Sequence, residues 1–160
     1  MEYIRGDLFT RENVSAYDYV CFTSNSMLNK KGELVMGKGV ALCAKNYRSD
    51  LPSKFGDIIE SRGLEGRFYG LLAYKNFIAF QTKIHWKDDS YLEDVQRSVE
   101  LLKRLALKHP NKTFALPFPA VVNDHQKRMD IKPLLDTLPD NIFIFYNDTH
   151  LTEYFKSVNI

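Results

Sequence analysis

The sequence predicts a three-layer α/β/α sandwich built on a mixed, largely parallel central sheet. Short runs of β-branched and aromatic residues alternate with helix-patterned segments along the 160 residues, the order that favours parallel strands joined by helical crossovers. Two of these runs lie close enough together to form a hairpin, which makes the sheet mixed. No internal repeat, linker or low-complexity tract interrupts the pattern, and the length suits one full hydrophobic core. The expectation is a single domain over residues 1–160.

The elements follow in order. "YDYVCFT" (17–23) is a strand that ends in the polar, turn-rich "SNSMLNKKGE". From Gly39 the Ala-rich "GVALCAKNY" reads as a short helix. "LPSKFGDIIESRG" reads as a second helix, with Pro52 suited to the first turn and Gly63 to the stop. "GLLAY" and "NFIAFQ" flank Lys75-Asn76 as the two arms of the hairpin. In "SYLEDVQRSVELLKRLALKH", Leu92, Val95, Val99, Leu102 and Ala106 recur at helical spacing, with Ser90 as a candidate N-cap and Pro110 just past the end. "TFALPF" is a buried strand, "MDIKPLLDTL" a helix with Asp130 near its start, "NIFIFYN" a strand, and "HLTEYFKSV" a closing helix.

Composition narrows the function classes. With 44% hydrophobic and 26% charged residues the chain has the make-up of a soluble globular protein. A net charge of +2 is too small to argue for nucleic-acid binding by electrostatics alone. Cys21 and Cys43 lack metal-ligand spacing and are expected to be buried thiols. No leader-like segment or long apolar span is evident, so a cytoplasmic location and no membrane association are expected.

"GELVMGKG" (32–39) comes within one residue of a phosphate-binding P-loop. Gly32, Gly37 and Lys38 have the right spacing, but Gly39 stands where a metal-binding hydroxyl belongs. Glu33, Leu34, Val35 and Met36 are too bulky to curl their N–H groups round a phosphate, and Glu33 adds negative charge. "MGKGVALCAK" suggests another device: glycines leading straight into a helix whose unpaired N–H groups face a diphosphate, without metal. A tight turn before a helix would look the same. In parallel sheets the ligand crevice lies outside the carboxyl ends of the strands, which singles out "SNSMLNKKGELVMGKG", "TKIHWKDD", "PAVVNDHQK" and "NDTH".

These segments resemble the macro domain family, an ADP-ribose-binding α/β fold. The resemblance is to the branch that holds DNA ADP-ribosyl glycohydrolase antitoxins and the terminal ADP-ribose protein glycohydrolase. It runs from "IRGDLF" to "NIFIFYN" and rests on "GDLF", "TSNSMLNKKGELVMGKGVAL" and "FQTKIHWKDDSYLEDV", with "ALPFPAVVNDH" where a second ligand loop begins. The resemblance implies that Asp7 accepts from the adenine amino group beside the Leu8 N–H, and that Asn25 contacts the distal ribose. Met36, Gly37, Lys38, Gly39 and Val40 would line the diphosphate and distal ribose. Ala120, Val121, Val122 and Asn123 would form the second ligand loop, and Asn147 would join the ligand-binding set. Lys83 would be the catalytic lysine. Asp124, seven residues after Pro117, would be its acid–base partner. No cofactor and no metal are implied.

The chain departs from that family in one place. The second loop is glycine-rich there, whereas Ala120-Val121-Val122-Asn123 contains no glycine, and β-branched residues resist the positive φ angles such a loop uses. Three activities therefore stay open: hydrolysis of an ADP-ribosyl linkage on DNA or protein, metal-free binding of ADP-ribose or a related nucleotide, and dephosphorylation of ADP-ribose 1″-phosphate. The partner would be ADP-ribose or an ADP-ribosylated macromolecule, with no indication of oligomeric state. As a nucleophile Lys83 must lose its proton, which burial or a neighbouring cation can bring about; a solvated lysine at a strand end is the plainer reading. An Asn-Asp turn is the plainer reading of Asp124, and turns or caps are the plainer readings of Asn25 and Asp7. His85 and His125 read as loop or surface residues, and Trp86 as a packing residue or lid.

Overall fold

The computed structural model describes residues 1–119 and 125–147. Its elements are β1 (Glu2–Arg5), α1 (Arg11–Ala16), β2 (Tyr19–Ser24), α2 (Gly39–Tyr47), α3 (Leu51–Ser61), β3 (Leu71–Tyr74), β4 (Phe77–Gln81), α4 (Leu92–Lys108), β5 (Phe114–Pro117), α5 (His125–Leu135) and β6 (Ile142–Tyr146). The described strands form one six-stranded sheet in the order β1-β6-β5-β2-β4-β3. Every neighbouring pair is parallel except β3–β4, the hairpin expected around Lys75. Lys75 takes the tight reversal with a φ of 53°.

Period-two alternation divides even the continuously apolar strands between two cores. Val20 and Phe22 of β2, with Phe77 and Ala79 of β4, face α1, α2 and α3. Cys21, Ile78 and Phe80 face the other way, with Phe114, Leu116, Ile142 and Ile144, against α4 and α5. The amphipathic stripe of α4 is the anticipated one: Val95, Val99, Leu102 and Ala106 are buried. The result is the expected three-layer sandwich.

Several elements differ from the sequence reading. β1 and α1 are additions; four and six residues are too few to display a period, although Thr10 caps α1 by accepting from the Asn13 N–H at 3.0 Å. α5 starts at His125, before any apolar periodicity appears, and ends at Leu135. There the Thr137 hydroxyl donates to the Leu134 carbonyl at 2.7 Å. Ser90 does not cap α4; the N-cap position is Tyr91, with no side-chain bond to the helix. Cys43 is exposed rather than buried. The expected closing helix at 150–158 lies outside the described residues, as do Ala120, Val121, Val122, Asn123 and Asp124. No described helix is long and apolar enough to cross a membrane.

Candidate functional site

The chain runs from β2 to the β3–β4 side of the sheet, then returns across β2 to β5. The carboxyl ends of β2, β4 and β5 thus surround a switch point, the place where open α/β sheets form their crevice. A cavity of about 410 Å³ occupies it. β2 contributes Ser24 and Asn25, β4 leads into Thr82 and Lys83, and β5 leads into Phe118 and Pro119. A second cavity of about 200 Å³ lies beside it, lined by Asp7, Leu8, Cys43 and Asn147 among others. Val40 lines both, so the two form adjoining compartments of one cleft.

The loop between β2 and α2 explains why "GELVMGKG" is not a P-loop. The Gly32 N–H donates to the Asn29 carbonyl at 3.0 Å, Leu34 to Pro52 at 2.9 Å and Val35 to Met27 at 3.0 Å. The Glu33 N–H donates to the Asn29 side chain at 3.0 Å. These four donors face the protein and have nothing left for a phosphate. After Met36 the situation reverses. The first bond of α2 runs from the Leu42 N–H to the Lys38 carbonyl at 3.2 Å, so the N–H groups of Gly39, Val40 and Ala41 precede the helical ladder. All three residues line the cavity, and no side chain caps this end. Gly39 enters the helix at a φ of +56°, a left-handed conformation costly for any other residue. An uncapped helix N-terminus opening into a cavity is an anion site by geometry and dipole together.

The charged residues agree with that. Among the described residues lining the larger cavity, Lys38 and Lys83 are the charged ones, and no carboxylate is present. The smaller cavity carries the carboxylate of Asp7, which accepts a hydrogen bond from the Asn147 side chain. The cleft is therefore cationic at one end and has an anionic acceptor at the other.

Lys83 owes its position to two devices. The Tyr91 N–H donates to the Thr82 carbonyl at 2.8 Å, which closes the chain between them into a loop that brings Lys83, Trp86 and Ser90 to the cavity wall. Behind it, the fully buried Gln81 donates its amide hydrogens to the carbonyls of Arg67 (3.0 Å) and Lys83 (3.1 Å). Its oxygen accepts from the N–H groups of Tyr69 (2.6 Å) and Gly70 (3.0 Å). Asn25 is anchored in the same manner. It donates to the Val35 carbonyl at 3.0 Å and accepts from the Met27 N–H at 2.9 Å, so its side chain ties the two arms of the loop together while lining the cavity. The Tyr69 hydroxyl, its pKa pushed up by burial, donates to the Asn25 carbonyl at 2.7 Å from below.

Comparison with solved structures decides the fold. The chain superposes on the macrodomain of Thermus aquaticus DarG and on that of Mycobacterium tuberculosis DarG, each with a TM-score of 0.67 and 23% identity over 92% of this chain and 97% of theirs. It also matches Thermosipho africanus DarTG in complex with ADP-ribose, with a TM-score of 0.62 and 23% identity over 91% of this chain and 41% of that one. The fold is that of a macrodomain. No family model matches the sequence, and neither does any curated protein.

On this macrodomain scaffold the residues singled out from sequence fall in two groups. Asn25, Gly37, Lys38, Gly39, Val40 and Lys83 line the larger cavity, and Asp7, Leu8 and Asn147 the smaller. Met36 is the exception: its side chain is buried in the core beneath α2 and α3 and lines neither cavity. Trp86, 38% exposed, is a wall residue rather than core packing, with the Lys87 ammonium 5.3 Å from its ring. His85 accepts from the Lys87 N–H at 3.1 Å and shapes the loop. Sequence reading passed over Ser24 and Cys43 as site residues and assigned Ser90 to a cap; Ser24 and Cys43 fall in segments singled out for the ligand, but which of their side chains reach the cleft is decided by the sheet order and the packing of α2.

Proposed function

We propose that this macrodomain binds ADP-ribose across the two compartments and hydrolyses an ADP-ribosyl linkage beside Lys83, as a relative of the branch named from the sequence. The observation that carries the proposal is the polarity of the cleft: an uncapped helix N-terminus with Lys38 and Lys83 at one end, Asp7 at the other. A dinucleotide-like anion matches it, with adenine at Asp7, diphosphate over Gly39–Ala41, and the distal ribose toward Lys83. The presence of ADP-ribose in the structurally similar Thermosipho africanus DarTG supports the same choice.

In the reaction proposed, the neutral Lys83 amine attacks the anomeric carbon as the bond to the modified group breaks. Asp124 gives that leaving group a proton, then takes one from the water that displaces the lysine. A protonated Lys83 that stabilises the negative charge building on the departing group is the variant in which water attacks the anomeric carbon directly. The missing glycines of Ala120–Asn123 favour one rival, a module that binds the nucleotide without turnover.

Calorimetric titration with ADP-ribose in the absence of Mg²⁺ should give saturable one-to-one binding, and its absence would remove the proposal. With binding in hand, Lys83→Ala assayed on ADP-ribosylated DNA and protein should retain affinity and lose at least about 100-fold in turnover, the scale of a removed catalytic group. No turnover in the wild type would leave the binding module.

A further inference from the structure

Ser90 sits immediately before the Tyr91 N-cap of α4, one residue outside the position from which a serine side chain accepts from the first helical turn, and it makes no bond to that turn. The residue is 8% exposed, lines the larger cavity, and its hydroxyl has no hydrogen-bond partner among the described residues. A buried hydroxyl without a partner costs free energy, and α4 meets its dipole by other means, with Glu93 and Asp94 in its first turn. Ser90 therefore presents both a donor and an acceptor to the cavity. It does so from the same closed loop as Lys83 and Trp86.

We infer that Ser90 is a specificity-determining residue whose hydroxyl bonds a hydroxyl of the ribose held at Lys83. This rests on the ADP-ribose reading above. With adenine at Asp7 and diphosphate over the start of α2, the polar group left to meet the Lys83–Ser90 wall is the distal ribose. Its hydroxyls both donate and accept, which matches a serine that is free in both senses.

The test is titration of the wild type and Ser90→Ala with ADP-ribose and with ADP, which lacks the distal ribose, together with thermal unfolding of both proteins. The expected result is affinity for ADP-ribose weakened about fivefold, the value of one neutral hydrogen bond. Affinity for ADP should stay unchanged, and the Tm should be equal or slightly higher, since an unpartnered group has been removed. Equal loss for both nucleotides would overturn the assignment. So would a lowered Tm with no selective loss for ADP-ribose, because that is the signature of a helix cap. A wild type that binds neither nucleotide sinks the ADP-ribose reading and Ser90 with it, whereas a wild type that binds and a Ser90→Ala protein that binds equally well sinks the Ser90 assignment alone.

Discussion

Gln81 uses all four hydrogen-bonding positions of its amide inside the protein, on the backbone of Arg67, Tyr69, Gly70 and Lys83, the last of which lines the cavity. Replacing it with Glu sets carboxylate oxygens against the Arg67 and Lys83 carbonyls, where two donors stood. Each unsatisfied buried group costs about 1–3 kcal/mol, so Gln81→Glu should lose at least about 3 kcal/mol in urea unfolding. The Lys83 backbone also loses its tether, so the turnover proposed for Lys83 should fall further than a neutral core mutation of equal destabilisation would cause; an equal fall would make Gln81 a purely structural residue. No sequence rule marks it. "NFIAFQ" reads correctly as a strand, but the last residue of a strand says nothing of the four partners that fold over it. Asn25 shows the converse: its place at the cleft was legible from its position after a strand, while its role as the tie between Met27 and Val35 was not.

At the scale of elements, the cleft depends on how the arm around Gly32 lies against α3. Gly56 sits in the middle of that helix, where glycine is a weak helix former, and from sequence it looks like a defect. The fold gives the reason. A Cβ at Gly56 would lie 2.1 Å from the Gly32 carbonyl oxygen and 2.9 Å from the Glu33 Cα, so only glycine lets the arm pack this closely. Gly56→Ala would gain roughly 1 kcal/mol of helix propensity in isolation, yet should destabilise the protein by about 1–3 kcal/mol because backbone must move. Denaturation of the variant checks the sign; a stabilised Gly56→Ala protein would mean that the arm is not seated as described. Adjacent elements were read well where they are long or regular. α4 shows its stripe over four turns, and the β3–β4 hairpin its turn, whereas β1 is set by its pairing with β6, far along the chain, with Ile4 opposite Phe145, and α1 is too short to show a period.

The whole molecule sets its two cysteines apart, and the sheet order decides which is which. Cys21 lies in β2, between β5 and β4, under the α4–α5 layer and with no exposure; burial pushes its thiol far above the ordinary range. Exposing it requires the sandwich itself to open. Cys43 is in an Ala-rich helix whose sequence does not say which side faces inward, and the packing of α2 turns it to solvent at the rim of the smaller cavity. Thiol reagents attack the thiolate and need access, so one equivalent per chain should react at once and the second only as fast as the protein unfolds. ADP-ribose should slow the first reaction, since the proposed pose puts adenine at that rim, and should slow the second by stabilising the folded state, the more so the further its concentration exceeds its Kd. Mass spectrometry of labelled peptides separates the two sites. Slowing of the second reaction without the first would locate the nucleotide away from Cys43 and displace adenine from the Asp7 compartment. Two fast reactions would mean that the layers over β2 are not closed.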